Sequence, residues 1–226
     1  MESNMEKNVS NIIATAMKVI MNPVGFYRDM PKTGGYVEPL IFAAAMGLVS
    51  GVITAILSIF SLGSAGSFFM GIAFIIIYPI MVAIFSFVGA AIIFIIWKIM
   101  SSQEPYETAY RCMAYAVAIS PITVILGIIP YLGSIIGLVW WFYLILAAST
   151  EVHKIPRKTA FMVFGIICVL LAMLSTCSQF TARRIQKNAE QFSSDIENMT
   201  PEEAGKAFGD FMKGMQKAAD KKDSEK

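Results

Sequence analysis

The chain has 226 residues, 56 % of them hydrophobic and only 15 % charged, with a mean hydropathy of +0.63. Soluble domains carry ~25 % charged residues, so this composition excludes an ordinary water-soluble globule. The formal charge of +2 gives no overall bias toward or against an anionic partner.

The polar start MESNMEKNVSNII, with Lys18 interrupting the first apolar stretch, does not read as a secretory signal. The first span is therefore expected to act as the targeting signal. Val9, Ile12, Ile13, Ala16, Val19 and Ile20 recur at helical spacing among Glu6, Lys7 and Lys18. They predict an amphipathic helix lying in the cytoplasmic membrane interface, or docked on the protein itself. Asn22-Pro23 is expected to end it, with Phe26, Tyr27 and Arg28 as a short interfacial anchor before Gly34-Gly35.

No charged residue occurs in 39–97, 112–150 or 159–182; the gaps are two charged islands, Lys98 to Arg111 and Glu151 to Lys158. At about 20 residues per span, these runs predict two, two and one crossings. The first run folds back at the Gly/Ser cluster 61–67, giving spans near 38–60 and 67–97. The second of these is long and contains Pro79, which predicts one tilted or kinked helix, or a re-entrant segment before the proline. Gly127, Pro130 and Gly133 divide the next run into spans near 108–128 and 132–150, with Tyr110 and Tyr131 as interfacial residues. The last span is near 159–180.

The result is an all-α polytopic membrane protein with five transmembrane helices. A cytoplasmic segment, 1–37, carries the interfacial helix; a membrane domain covers 38–180; a helical tail covers 181–226. With five spans, nine basic residues (Lys7, Lys18, Arg28, Lys32, Lys98, Arg111, Lys154, Arg157, Lys158) fall on one side. The opposite turns carry none, and positive residues are retained in the cytoplasm. This places the N-terminus in the cytoplasm and the C-terminus outside, against the pull of Arg183, Arg184 and Lys187 just after the last span.

The tail has nine basic and nine acidic residues from Thr181 on, hence no net field for a nucleic acid. Ile185, Ala189, Phe192 and Ile196, then Ala204, Phe208, Phe211 and Met215, form two amphipathic stripes. Thr200 and Glu203 between them suit a capping box, and the last residues are expected to be disordered.

Few residues could carry chemistry. Cys112, Cys168 and Cys177 lack metal-ligand spacing and read as packing residues, with no disulfide expected. The lone histidine, His153, reads as a solvated or headgroup-level loop residue. No base–nucleophile pair, metal cluster or phosphate-binding glycine loop is evident, which predicts no enzyme activity, no catalytic residue, no metal and no cofactor. Charge is also missing from the spans away from their ends, which disfavours an ion-coupled carrier.

Helix packing and a partner surface are better specified. Ala43, Gly47 and Gly51, then Gly133 and Gly137, have the small-residue spacing of close helix contact, within the chain or between two copies. Trp140 and Trp141 are expected to pack mid-span, their indole N–H groups finding a partner near Pro121. Pro105 suits the first turn of a helix, and Glu107 and Arg111 stand four apart and can pair. Glu104, Glu107, Arg111, His153, Lys154, Arg157 and Lys158 form the candidate partner surface.

The order of these features, Pro23, Phe26 and Tyr27, then ETAYR entering AYAVAISPITVILGIIPYLG, then IIGLVWWFYLILAAST and EVHKIPRKTAF, resembles the Yip family across about residues 20 to 180. These are five-span membrane proteins named for eukaryotic members that interact with Rab GTPases. Ala114-Tyr115, Pro121, Pro130, Gly133, Trp140 and the segment 153–158 match by order and setting. The resemblance implies a cytoplasmic N-terminus, an opposite C-terminus and a non-enzymatic role in membrane organisation or trafficking. The chain lacks the long N-terminal region and the Asp-Leu-Tyr-Gly-Pro motif of the eukaryotic members, which argues against a Rab partner and for a short prokaryotic form in the inner membrane. The expected function is a scaffold or recruitment factor whose partners are the bilayer, a membrane or cytoplasmic protein and a second copy of the chain; the alternative is a passive small-solute channel or lipid-handling protein.

Overall fold

The computed structural model describes residues 2–60, 68–129, 132–197 and 205. Among these residues every regular element is a helix. In chain order they are α1 (Glu2–Met21), α2 (Pro23–Asp29), α3 (Val37–Ile59), α4 (Phe68–Ile99), α5 (Tyr106–Ala116), a 3-10 turn (Val117–Ile119), α6 (Ser120–Leu126), α7 (Leu132–Glu151) and α8 (Arg157–Glu197). The chain divides into a unit ending at Ser175 and a second beginning at Thr176, in which α8 continues to Glu197.

Five stretches are long and apolar enough to cross a bilayer: Val37–Ile59, Phe69–Ile99, Tyr106–Leu126, Gly133–Glu151 and Arg157–Thr181. The stretch with two readings is settled here, because α4 runs unbroken through Pro79. Its 32 residues make about 48 Å of helix, enough to cross once with tilt and too regular to turn back. The Gly/Ser cluster 61–67, Pro130 and Tyr131, the capping box at Thr200 and the second tail stripe lie outside the described residues.

The third span differs from the single helix expected over 108–128. Pro121 has no N–H to give the carbonyl of Val117, and its ring crowds the preceding turn. The helix tightens into the 3-10 turn and restarts at Ser120. Hydroxyls brace the break: Ser50 Oγ and Ser120 Oγ lie 2.9 Å apart, and Thr123 Oγ1 donates to the Ser120 carbonyl at 2.8 Å.

Lipid supplies no hydrophobic force between spans, so close van der Waals approach has to hold them. In α3 that approach is made where glycine faces backbone. A Cβ on Gly47 would lie 2.8 Å from Pro79 Cα, and one on Gly51 would lie 2.5 Å from the Phe74 carbonyl oxygen. Gly133 meets the Leu126 carbonyl and Gly137 the Thr123 methyl across the α6–α7 turn. Ala43 is fully buried.

Core packing is concentrated at one end of the membrane unit. Phe42 near the start of α3, Trp97 at the end of α4, Tyr110 and Cys112 in α5, Leu144 and Ala148 late in α7 and Phe164 early in α8 are all buried. Tyr110, expected at an interface, is instead fully buried and stacked on Phe87 with ring centroids 4.0 Å apart.

The helix contacts predict that Gly51→Ala destabilises the protein by roughly 1 to 3 kcal/mol through forced overpacking. Gly165→Ala, inside α8 where nothing lies within 4 Å of the new methyl, should not destabilise and should gain up to about 1 kcal/mol of helix propensity. Thermal unfolding of both variants in the same detergent checks this.

Candidate functional site

The ion pairs of the described membrane unit converge where α2, the 30–36 loop, the starts of α3 and α5 and the end of α7 meet. Asn22 caps α2, accepting from the Gly25 N–H at 3.1 Å, with Pro23 at the first helical position. Asn22-Pro23 thus ends one helix and begins another. The expected interfacial anchor becomes an internal one: Tyr27 is 1 % exposed and its hydroxyl donates to the Cys112 carbonyl at 3.1 Å. Burial pushes the Tyr27 phenol well above its ordinary pKa, so it stays a donor. Phe26 packs edge-on against Tyr115.

The following loop is tied down residue by residue. Gly34 and Gly35 take φ of +126° and +83°, conformations open to glycine at little cost. The turn they make presents carbonyls to Arg111, one and a half turns into α5. Arg111 is 1 % exposed; its Nε donates to the Pro31 carbonyl at 2.7 Å, one terminal nitrogen to the Gly35 carbonyl at 3.0 Å and the other to Glu38 at 3.0 Å. Glu107 does not pair with Arg111 as the four-residue spacing suggested. Its carboxylate accepts from the Gly35 N–H at 2.7 Å instead, and Thr108 donates to the Lys32 carbonyl at 3.0 Å. Both side chains of the expected local pair are thus taken up by groups more than seventy residues away.

Two further ion pairs close the knot. Arg28 pairs with Glu151 at 3.0 Å, and Lys32 with Glu104 at 2.5 Å. The Glu151 carboxylate raises the Arg28 pKa, chiefly through the hydrogen bond. Both pairs have an exposed partner, so water and salt limit their worth. The Glu38 end of the Arg111 pair is also exposed, whereas the carbonyl bonds to Pro31 and Gly35 satisfy a desolvated cation. Hydrogen bonds to charged groups contribute about 1.5 to 3 kcal/mol each, so the carbonyl bonds dominate.

His153 departs most from its expected solvated role. It is 5 % exposed, its ring stacks on Trp97 with centroids 3.7 Å apart, and Nδ1 lies 2.7 Å from the Ser102 hydroxyl. Nε2 is buried with no hydrogen-bond partner. Burial first, then the charges of Lys32 and Lys98, lower its pKa to about 3. Trp97, which the sequence reading did not single out, donates to Ser149 at 2.8 Å and packs edge-on against Phe164. It joins the ends of three spans. Its place beside the Lys98 boundary was the available signal.

The remaining expected site residues separate. Lys154, Arg157 and Lys158 are exposed. Trp140 and Trp141 are half-buried, and Trp140 Nε1 has no hydrogen-bond partner, so it does not serve the groups freed at Pro121. Cys112 is buried, Cys168 half-buried and Cys177 exposed, all with free thiols. No group of three or more His, Cys, Asp and Glu side chains suited to a metal ion occurs among the described residues.

The N-terminal helix docks on the protein, one of the two readings of the sequence. Val19 is buried, and Ile12, Ala16 and Ile20 pack against the core. Ile13, Met17 and Met21, one turn apart along the neighbouring face, are exposed, with Asn11 and Lys18 on the third side. The helix therefore presents a docked, an apolar and a polar sector.

Residues 17–178 match the family model described as the Yip1 domain. The match begins within α1, covers four spans and nearly all of the fifth, and takes in well over half of the chain. The protein belongs to this family and is an integral membrane protein. No curated protein and no solved structure is similar enough to the chain to count as a match.

Two outcomes test this site. Arg111→Lys removes the planar fork that reaches three partners and should cost roughly 2 to 4 kcal/mol, whereas Glu38→Gln should cost less than about 1 kcal/mol; denaturation in detergent measures both. For His153, the unfolded imidazole takes a proton below about 6.5 and the folded one only near 3. Stability is therefore full above pH 6.5 and falls as pH drops through that window, by roughly 1.4 kcal/mol per unit. Between pH 6.5 and 5, His153→Phe, which can keep the stack on Trp97, should flatten that slope.

Proposed function

We propose, with membership of the Yip1 domain family as the premise, that this protein is a non-catalytic scaffold or recruitment factor of a prokaryotic inner membrane. Its N-terminus lies in the cytoplasm and its C-terminus on the opposite side. Family members are generally non-enzymatic membrane proteins. The observation that carries the reading is that α1, the exposed cations and the ion-paired loop all gather at the well-packed end of the membrane unit. A rigid base with an exposed apolar stripe, Ile13, Met17 and Met21, is what recruitment of a partner requires. Glu104, Glu107 and Arg111 contribute by holding that base together, leaving Lys154, Arg157 and Lys158 to face outward.

The alternative, a passive conduit or lipid-handling protein, draws support from a cavity of about 670 Å³ beside the broken third span. Phe85, Met113, Val117, Thr123, Leu138 and Trp141 are among its lining residues. Flux of small solutes or lipid through reconstituted vesicles would favour that reading over recruitment.

Recruitment predicts that a photo-crosslinker at Met17 in native membranes yields a protein adduct of one discrete mass. Adducts to lipid and to the chain itself alone would contradict it. A reporter that fluoresces only in the cytoplasm should stay dark when fused to Lys226, and a bright signal would overturn the proposed orientation.

A further inference from the structure

The charged end of the membrane unit divides its cations into two sets. Arg28, Lys32 and Arg111 are paired with Glu151, Glu104 and Glu38. Lys98, Lys154, Arg157 and Lys158 form no ion pair among the described residues, and all four are exposed. The same four stand where three candidate spans end, at Ile99, Glu151 and Arg157, which is the depth of the lipid headgroups. Trp97 ties the elements that carry them together: its stack on His153 joins the end of α4 to the α7–α8 loop, and its contact with Phe164 joins both to the start of α8, while Lys98 Nζ lies 5.5 Å from the centre of the Phe94 ring.

One local feature is unfavourable unless negative charge comes from outside the chain. The first turn of α8 contains Arg157 and Lys158 and no acidic residue, so two cations sit against the positive end of a helix dipole, where carboxylates are the stabilising choice. Lys154 adopts φ of +55°, a left-handed conformation that costs a side-chain-bearing residue about 1 kcal/mol or more. It is held there because Val152, His153 and Ile155 on either side are buried, and because the Ile155 N–H bonds back to the Ser149 carbonyl at 3.0 Å. The neighbouring carboxylates, Glu104 and Glu151, are already engaged by Lys32 and Arg28.

We propose that Lys98, Lys154, Arg157 and Lys158 form a binding site for the phosphate of an anionic phospholipid in the adjoining leaflet. The headgroup phosphate supplies the charge that the start of α8 lacks, and the acyl chains run down the lipid-exposed surface of α8 that begins with Phe161 and Met162. A lipid fits better than a soluble anion because the cations ring the ends of spans and the wall beneath them is apolar. The site needs no protein partner, so it stands or falls separately from recruitment.

The test uses the full-length protein in neutral detergent, titrated with phosphatidylglycerol or phosphatidylcholine and read by native mass spectrometry as the ratio of bound species. The wild type should prefer phosphatidylglycerol. A triple variant, Lys154→Asn, Arg157→Gln and Lys158→Gln, should lose that preference by up to roughly a hundredfold, about fivefold per cation. Asparagine tolerates the left-handed backbone, and an unchanged helical circular dichroism spectrum would confirm folding. Lys18→Gln, on α1, should leave the preference intact. A triple variant that keeps the wild-type preference would overturn the site. Competition by inorganic phosphate as effective as that of the lipid would overturn its assignment to a lipid.

Discussion

The arrangement at the charged end depends on one buried guanidinium. Arg111 enters the membrane unit on α5 and reaches back to the chain segment between α2 and α3, bonding the carbonyls of Pro31 and Gly35 and the carboxylate of Glu38. A cation removed from water costs several kcal/mol unless its donors are used, and these partners use three of them. The dependence is mutual. The guanidinium needs the carbonyls to remain buried, and the loop, with two left-handed glycines, needs the guanidinium to keep its turn. Because α3 follows the loop directly, the same contact helps set where the first span begins relative to the third.

The rest of the membrane unit is organised outward from that knot. Tyr27, Trp97 and His153 bury polar-edged rings around it, each with a hydrogen bond at one end. Away from it, the contacts become lean and geometric: glycine against backbone between α3 and α4, hydroxyls across the break at Val117–Ile119, and a cavity beside that break. The last span is the least enclosed of the five among the described residues, with 11 % of its most apolar window buried.

The spans were legible in the sequence because charge is costly in hydrocarbon, and its absence over 39–97, 112–150 and 159–182 marks crossings whatever the detailed packing. The polar knot was not, for a specific reason. Helical spacing sees only neighbours along one element, so Glu107 and Arg111 looked like each other's partners. Their real partners, Gly35 and Glu38, become available only once the loop and α3 fold against α5. His153 misled in the same way: a histidine between a span and Lys154 reads as solvated, and only the stack on Trp97 buries it. The break in the third span had a visible cause in Pro121, but whether a proline tightens, kinks or ends a helix depends on what braces it. Here that is Ser50, on another span.

The charged end keeps its arrangement only if the loop between α2 and α3 is held by α5 rather than lying free on the membrane surface. Hydrogen exchange in the full-length protein reads this directly at the Gly35 amide, which donates to Glu107 at 2.7 Å. Slow exchange is expected at the Gly35 amide in the wild type, and fast exchange there in Arg111→Lys while α4 and α7 keep their protection. A Gly35 amide that exchanges freely in the wild type, or that stays protected after the substitution, would contradict this.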